Sequence, residues 1–316
     1  MALDEVAARI RGARLGPFLA AIITATLTVP FRTVRWRYLL RQDGALLPMV
    51  PLWHATAIGF MANNLLPARA GEFARAYAAR HLTGVRFSAA FASIAVERVM
   101  DGIVLVALLG LGIAAGGIRA GTSVGGVTLV NVATAALGIF GAILVATLFV
   151  VHWPAPALQL ARRIAGRLLP AGKADRLVEI FEGLLLGLDA LRSGRRLAFV
   201  TLWSVIIWGV GAASYWLGFR AFDMDVPWTG ALILQSLVAF GVAIPSSPGF
   251  FGPFEAVTRA TLALYAVPVA TAVSYAVAFH LAAFIPISLL GLWSLSRAHL
   301  HISDLRTGEG QGLPKR

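Results

Sequence analysis

The sequence has no cysteine, which excludes disulfides, thiolate metal sites and a cysteine nucleophile. It is also poor in charge: Asp, Glu, Lys and Arg make up 13% of the 316 residues, against about 25% in a soluble globular chain. Hydrophobic residues reach 58%, and the mean hydropathy is +0.78. A chain this short of polar side chains cannot wrap its apolar surface in water, so most of its solvent must be lipid. Acidic residues are scarcer still, 15 against 27 basic, for a net charge of +12. In a soluble protein that surplus would suggest nucleic acid. Here it reads as cationic loops kept on the cytoplasmic side of a membrane, and no nucleic-acid partner is expected. Asp4 and Glu5 interrupt any basic leader, and no small-x-small cleavage site follows.

Several catalytic signatures are missing as well. There is no HExxH, no Walker A run and no dinucleotide-binding fingerprint. The stretch Gly121–Gly125 fits G-x-S-x-G only literally, in a glycine-rich loop with no strand before it. His299 and His301, two apart, point to different sides of a helix. We therefore expect no enzyme activity, no cofactor and no metal.

Five stretches are apolar over the length of about 20 residues that a crossing helix needs: 15–31, 87–115, 127–151, 197–219 and 269–295. Two others, 45–82 and 228–268, are apolar but broken. The first breaks at Asn63-Asn64-Leu65-Leu66-Pro67, the second at Pro245-Ser246-Ser247-Pro248-Gly249. Proline removes a donor and drives the residue before it out of the helix, so both should be interrupted helices. Between Val151 and Leu197 lie eight cations, whereas the loops near residues 116–126 and 220–226 hold one arginine each. The 152–196 linker and the 297–316 tail are thus expected in the cytoplasm, as are Arg32, Arg35, Arg37 and Arg41 after the first span. On this topology the two broken segments enter from opposite faces as re-entrant hairpins.

A shift of 183 positions, the separation of Glu72 from Glu255, lays the span at Leu15 over the one at Leu197 and Glu97 over His280. The expected architecture is an all-α polytopic membrane protein of two inverted repeats, 1–151 and 197–296, each with a broken re-entrant helix. Apolar residues recur at helical spacing through 154–194, as interfacial amphipathic helices linking the halves would require.

Few charges sit at bilayer depth. Glu97, Arg98 and Asp101 share a helix, and intramembrane ionisable groups are either functional or a structural staple. Beside the first break lie Asn63, Asn64, Arg69, Glu72 and Arg75. An arginine there could grip a lipid phosphate at a helix N-terminus, or merely snorkel to the headgroups. Ser246, Ser247, Glu255, Arg259 and His280 take the matching places in the second half. Glu255 and Arg259, four apart, could equally pair with each other, and His280 could be a simple helix contact.

The runs Arg35-Trp36-Arg37-Tyr38-Leu39-Leu40, Asn63-Asn64-Leu65-Leu66-Pro67-Ala68-Arg69-Ala70-Gly71-Glu72 and Glu97-Arg98-Val99-Met100-Asp101 resemble the lysylphosphatidylglycerol synthase transmembrane region family. Pro245–Gly249 with Phe254-Glu255 and His280 resembles its second signature. The resemblance covers nearly the whole chain. It implies a flippase-like domain, as in the lipid-moving half of the multiple peptide resistance factor, with relatives in hopanoid and lipid-linked glycan pathways. The soluble aminoacyl-transferring domain is not in the sequence, which argues against synthase activity. Such proteins usually carry a span ahead of the segment resembling residues 4–14. Arg9, Arg11 and Arg14 would otherwise lie outside, so an upstream span or a flat N-terminal segment is expected.

The expected function is movement of an anionic or isoprenoid-type lipid between leaflets of a bacterial-type cytoplasmic membrane. Asn63, Asn64, Arg69, Glu72, Arg75, Glu97, Arg98, Asp101, Ser246, Ser247, Glu255, Arg259 and His280 are the candidate headgroup residues. The expected partners are the membrane lipid, a second copy of the chain and a lipid-modifying enzyme. A scaffold for such an enzyme, or a membrane-embedded transferase, are the rival readings.

Overall fold

The computed structural model describes residues 8–307 except 43, 68–69, 120, 169, 171, 173–177, 179–180, 183–184, 186–187 and 244–246. Its helices are α1 (Leu15–Leu39), α2 (Met49–Leu65), α3 (Gly71–Thr83), α4 (Phe87–Ala115), α5 (Leu129–His152), α6 (Pro154–Leu168), α7 (Gly194–Ala221), α8 (Trp228–Gly241), α9 (Pro253–Leu262), α10 (Val269–Arg297) and α11 (Ile302–Thr307). Five of them, α1, α4, α5, α7 and α10, are long and apolar enough to cross a membrane. The only strands among the described residues are two-residue hairpin arms, Arg41–Gln42 with Ala45–Leu46 and Ser123–Val124 with Val127–Thr128. The chain is an all-α multi-pass membrane protein.

One helix boundary departs from expectation, with consequences for the site. The first span does not end at Phe31. Helix α1 continues to Leu39, past Pro30, and its last turn closes with Leu40 N–H on the Trp36 carbonyl at 2.8 Å. Residues 32–39 contain no helix breaker, so the helix persists as long as its arginines find partners. Arg32 and Arg35 are consequently buried inside the bundle rather than spread over headgroups.

The first break falls where proline places it. Leu66, before Pro67, is extended at φ −106° and ψ 146°, and α3 resumes at Gly71. Asn63 Oδ1 accepts the Gly71 amide at 2.9 Å, replacing a helix bond that the break removes. In the second half α8 stops at Gly241. A single 3-10 turn, Pro248–Phe250, then leads into α9, which begins with Pro253 at its first position. Gly249 and Gly252, at φ 65° and 96°, supply the left-handed backbone that this turn needs.

Packing pairs helices across the two halves. Helix α1 lies along α7; α2 packs on α10, and α8 packs on α4. Within each half, α2–α3 and α3–α4 are matched by α8–α9 and α9–α10. The α2–α10 seam is close because Gly291 has no side chain: a Cβ there would overlap Met61 and the Ala57 carbonyl. One buried cluster centres on Trp36, Leu52, Ile58 and Met61, and a second on Phe219, Leu262, Tyr275 and Phe279. Helix α5 packs on α4 but leaves Leu137, Ile139, Ile143, Val145 and Phe149 outward, as a lipid-facing helix does.

Ahead of α1, the short segment from Ala8 lies across the ends of α7 and α10. Arg14 N–H donates to the Ala221 carbonyl at 2.8 Å, and Arg9 Nη1 to Thr271 Oγ1 at the same distance. In the linker, α6 exposes Leu160 and Ile164 beside Arg163 and Arg167. The second amphipathic helix expected there falls mostly outside the described residues, as do residues 308–316 of the tail.

Candidate functional site: a buried arginine–carboxylate cluster beside an apolar cavity

Four arginines and two carboxylates meet where α1, α3, α4 and α7 converge. Asp101, from the middle of α4, receives Arg35 Nη1 at 2.5 Å and Nη2 at 3.3 Å, and the Trp208 indole N–H at 2.8 Å. Arg32 and Arg98 each approach its Oδ2 at 3.4 Å. Glu97, one turn earlier, is completely buried. Its oxygens take Arg75 Nη1 at 2.5 Å and Nη2 at 3.4 Å, and Arg35 Nε lies 3.5 Å away. Arg35 also donates to Ser204 Oγ at 2.7 Å on α7, so it joins α1, α4 and α7.

Charges at this depth are tolerated only when paired and hydrogen-bonded. Aromatic faces take up part of the excess: Arg75 lies 3.8 Å over the Trp36 ring, and Arg32 4.8 Å over that of Trp208. Trp36 is itself pinned by Ser93 Oγ at 2.8 Å. Even so, in the ion pairs of the described residues named here four cations face two carboxylates. Such a centre attracts an anion.

Arg32 faces a cavity of about 270 Å³ between the halves, walled mainly by carbon from α1, α7, α8, α9 and α10. By volume it equals roughly nine waters. Trp208, Tyr215, Gln235, Phe279 and His280 are among the residues that line it. Gln235 is 4% exposed and donates to the Trp208 carbonyl at 3.0 Å, while its Oε1 has no protein partner.

At the second break, His280 from α10 contacts Glu255 of α9 through Nδ1 at 2.6 Å and the Gly249 carbonyl through Nε2 at 2.8 Å. Glu255 Oε2 accepts the Gly252 amide at 2.6 Å.

The candidate residues thus separate. Arg75, Glu97, Arg98 and Asp101 are brought together, and Asn63, Glu72, Arg75 and Arg98 line a second, small cavity beside Gly59 and Gly71. Asn64 instead donates to Ser288 Oγ at 2.9 Å, tying α2 to α10, and Ser247 Oγ donates to the Phe251 carbonyl within its own turn. The Glu255–Arg259 pair weighed from their spacing does not form: Glu255 turns to His280, and Arg259 points outward. Arg69 and Ser246 lie outside the described residues. Arg32, Arg35, Trp208 and Gln235 were not foreseen. The signal for the two arginines was their separation of three, which with Trp36 makes one helix face. The signal for Gln235 was a lone amide in the run Ala-Leu-Ile-Leu-Gln-Ser-Leu-Val.

Residues 1–291 match the family described as lysylphosphatidylglycerol synthase TM region. Among curated proteins, the chain is 30% identical over 287 residues to "Glycosyltransferase AglD" of Haloferax volcanii, which covers 83% of this chain and 45% of that protein. It is 25% identical over 275 residues to a "UPF0104 membrane protein" of Methanothermobacter thermautotrophicus, covering 82% of this chain and 77% of the other. The chain therefore spans about half the length of AglD. No solved structure matches it.

Proposed function

Because the chain belongs to the lysylphosphatidylglycerol synthase transmembrane region family, we propose that it is a carrier that moves an anionic or isoprenoid-type lipid between membrane leaflets. One observation carries this reading: an apolar cavity between the halves whose one guanidinium, Arg32, is backed by the cluster of four arginines and two carboxylates. An amphipathic lipid offers both complements, an anion for the arginine and hydrocarbon for the walls. No step at this site needs a nucleophile, and we read the chain as a carrier rather than an enzyme.

The packing supports two inverted repeats. Exchanging α1 with α7, α2 with α8, α3 with α9 and α4 with α10 turns each contact named above among these eight helices into another that is present. Such a twofold relation suits re-entrant hairpins opening to opposite faces, with the tail in the cytoplasm of a bacterial-type inner membrane. The absence of cysteine makes a topology test free of background. A single cysteine at Ser247 is expected to react with an impermeant maleimide from outside, and one at Leu65 only from the cytoplasmic face. Reaction of both from one side rules out opposed hairpins.

The decisive experiment is lipid exchange in vesicles. Purified protein in phosphatidylethanolamine–phosphatidylglycerol vesicles should expose inner-leaflet, headgroup-labelled lipid to an impermeant quencher. Protein-free and protein-containing vesicles that quench alike would end the carrier reading. The similarity to AglD favours a second reading, in which the domain serves a lipid-glycosylating partner without moving lipid. Failed exchange with intact folding would favour it.

A further inference from the structure

The setting of His280 fixes how many protons it and Glu255 hold between them. Its Nε2 lies 2.8 Å from the Gly249 carbonyl oxygen, which can only accept, so Nε2 carries a proton. Its Nδ1 lies 2.6 Å from Glu255 Oε1, a contact that needs a second proton, because two bare lone pairs at that distance repel. The pair is either imidazolium beside carboxylate or neutral imidazole beside a carboxylic acid. Both forms carry two protons and no net charge. The other carboxyl oxygen is taken by the Gly252 amide. Phe251 and Phe254 flank the ring, with centroids 4.5 and 4.4 Å away. The histidine is 8% exposed and borders the cavity.

We infer that His280 and Glu255 form a proton-binding site that latches the second break onto α10, and that releasing one proton unlatches this wall of the cavity. One of the pair's two protons leaves and passes to water. If the remaining proton sits on Nε2, the Glu255 contact is left with lone pairs face to face, and α9 parts from α10. If it sits on Nδ1, the Gly249 contact is left bare, and the 3-10 turn parts instead. One of the two ties is lost in either case. Its use, coupling lipid movement to a proton, rests on the carrier reading; the proton site does not.

Among the described residues, the other titratable groups stand back from the pair. From α7, Tyr215 stacks on Phe254, and from α1, Arg32 shares the cavity. Tyr275 lies five residues earlier on α10, and Arg259 on α9 is exposed. Helix α8 contains no titratable side chain, and the end of α2 nearest the turn presents Asn64. Among the described residues, no other charged side chain pairs with His280 or Glu255.

Glu255→Gln isolates the claim. Glutamine can accept the Gly252 amide through its oxygen and donate to Nδ1 through its amide, so both ties of His280 can form without the shared proton. The experiment is hydrogen exchange on the full chain in phosphatidylethanolamine–phosphatidylglycerol vesicles, following residues 247–256 with residues 49–65 as internal reference. Wild type and variant are compared at equal pH, across about pH 5.5 to 9, so that the chemical exchange rate cancels. Wild type should be protected at low pH and exchange about ten- to a hundredfold faster at high pH, the worth of one hydrogen bond to a charged group. Glu255→Gln should stay protected throughout. Identical profiles for the two proteins overturn the inference, as does a folded variant left unprotected at every pH. Should the variant fail to fold, the wild-type profile decides alone, and pH-independent protection of 247–256 overturns it. No lipid movement is read here, so failure of the vesicle exchange assay and failure of the latch are separate results.

Discussion

Asp101→Asn is expected to cost the protein its fold. Arg35, Arg32, Arg98 and Trp208 all point donors at this carboxylate, and Arg35 ties it to α1 and, through Ser204, to α7. Asparagine keeps the shape but removes the charge, and its amide turns a donor toward guanidinium groups that have only donors to offer. Removing one partner of a buried ion pair costs about 3–5 kcal/mol, because the other charge stays buried and unpaired. Set against a total stability of about 5–15 kcal/mol, that removes from about a fifth to all of it, so the yield of folded protein should fall steeply. Yield and thermal melting in detergent would check it. A variant that melts with wild type would mean that Asp101 is not structural, and would return it to the ligand-handling residues.

Arg32→Gln is expected to do the reverse, sparing the fold and removing lipid transfer. Arg32 contributes one 3.4 Å contact to Asp101, which keeps Arg35 and Trp208 without it. Its guanidinium is the one that faces the cavity. Losing a charge-assisted bond to an anionic headgroup should slow exchange about ten- to a hundredfold. Lysine at the same place should restore part of that, since it keeps the charge but not the two-pronged geometry. Normal melting with undiminished exchange would remove Arg32 from the site, and with it the role given to the cavity.

These two variants separate the possibilities that spacing alone left together. From the sequence, Glu97, Arg98 and Asp101 were either a staple or a site; α1 adds Arg32 and Arg35 to them, and the two variants tell the roles apart. The spans and both breaks were legible because apolar length and proline act locally. Buried Arg32 and Arg35 were not. Loop-charge reasoning treats cations at the end of an apolar run as interfacial, and nothing local says that α4 holds carboxylates at the matching depth. The His280–Glu255 contact was legible only as two residues in matching halves; that both ring nitrogens face oxygens is a fact of tertiary packing.

The knot at Arg35 has a mechanical meaning. It fastens α1 and α4 of one half to α7 of the other by short, directional bonds in a medium where no water can replace them. A joint of that kind acts as a fulcrum. On the carrier reading, rocking of the halves would leave the fulcrum nearly still and be greatest in the elements that it does not fasten, α9 and the stretch of α10 that carries His280. The guanidinium end of the cavity would then stay put through the cycle while the opposite wall swings, so that cargo turns about a fixed charge rather than being handed from one charge to another.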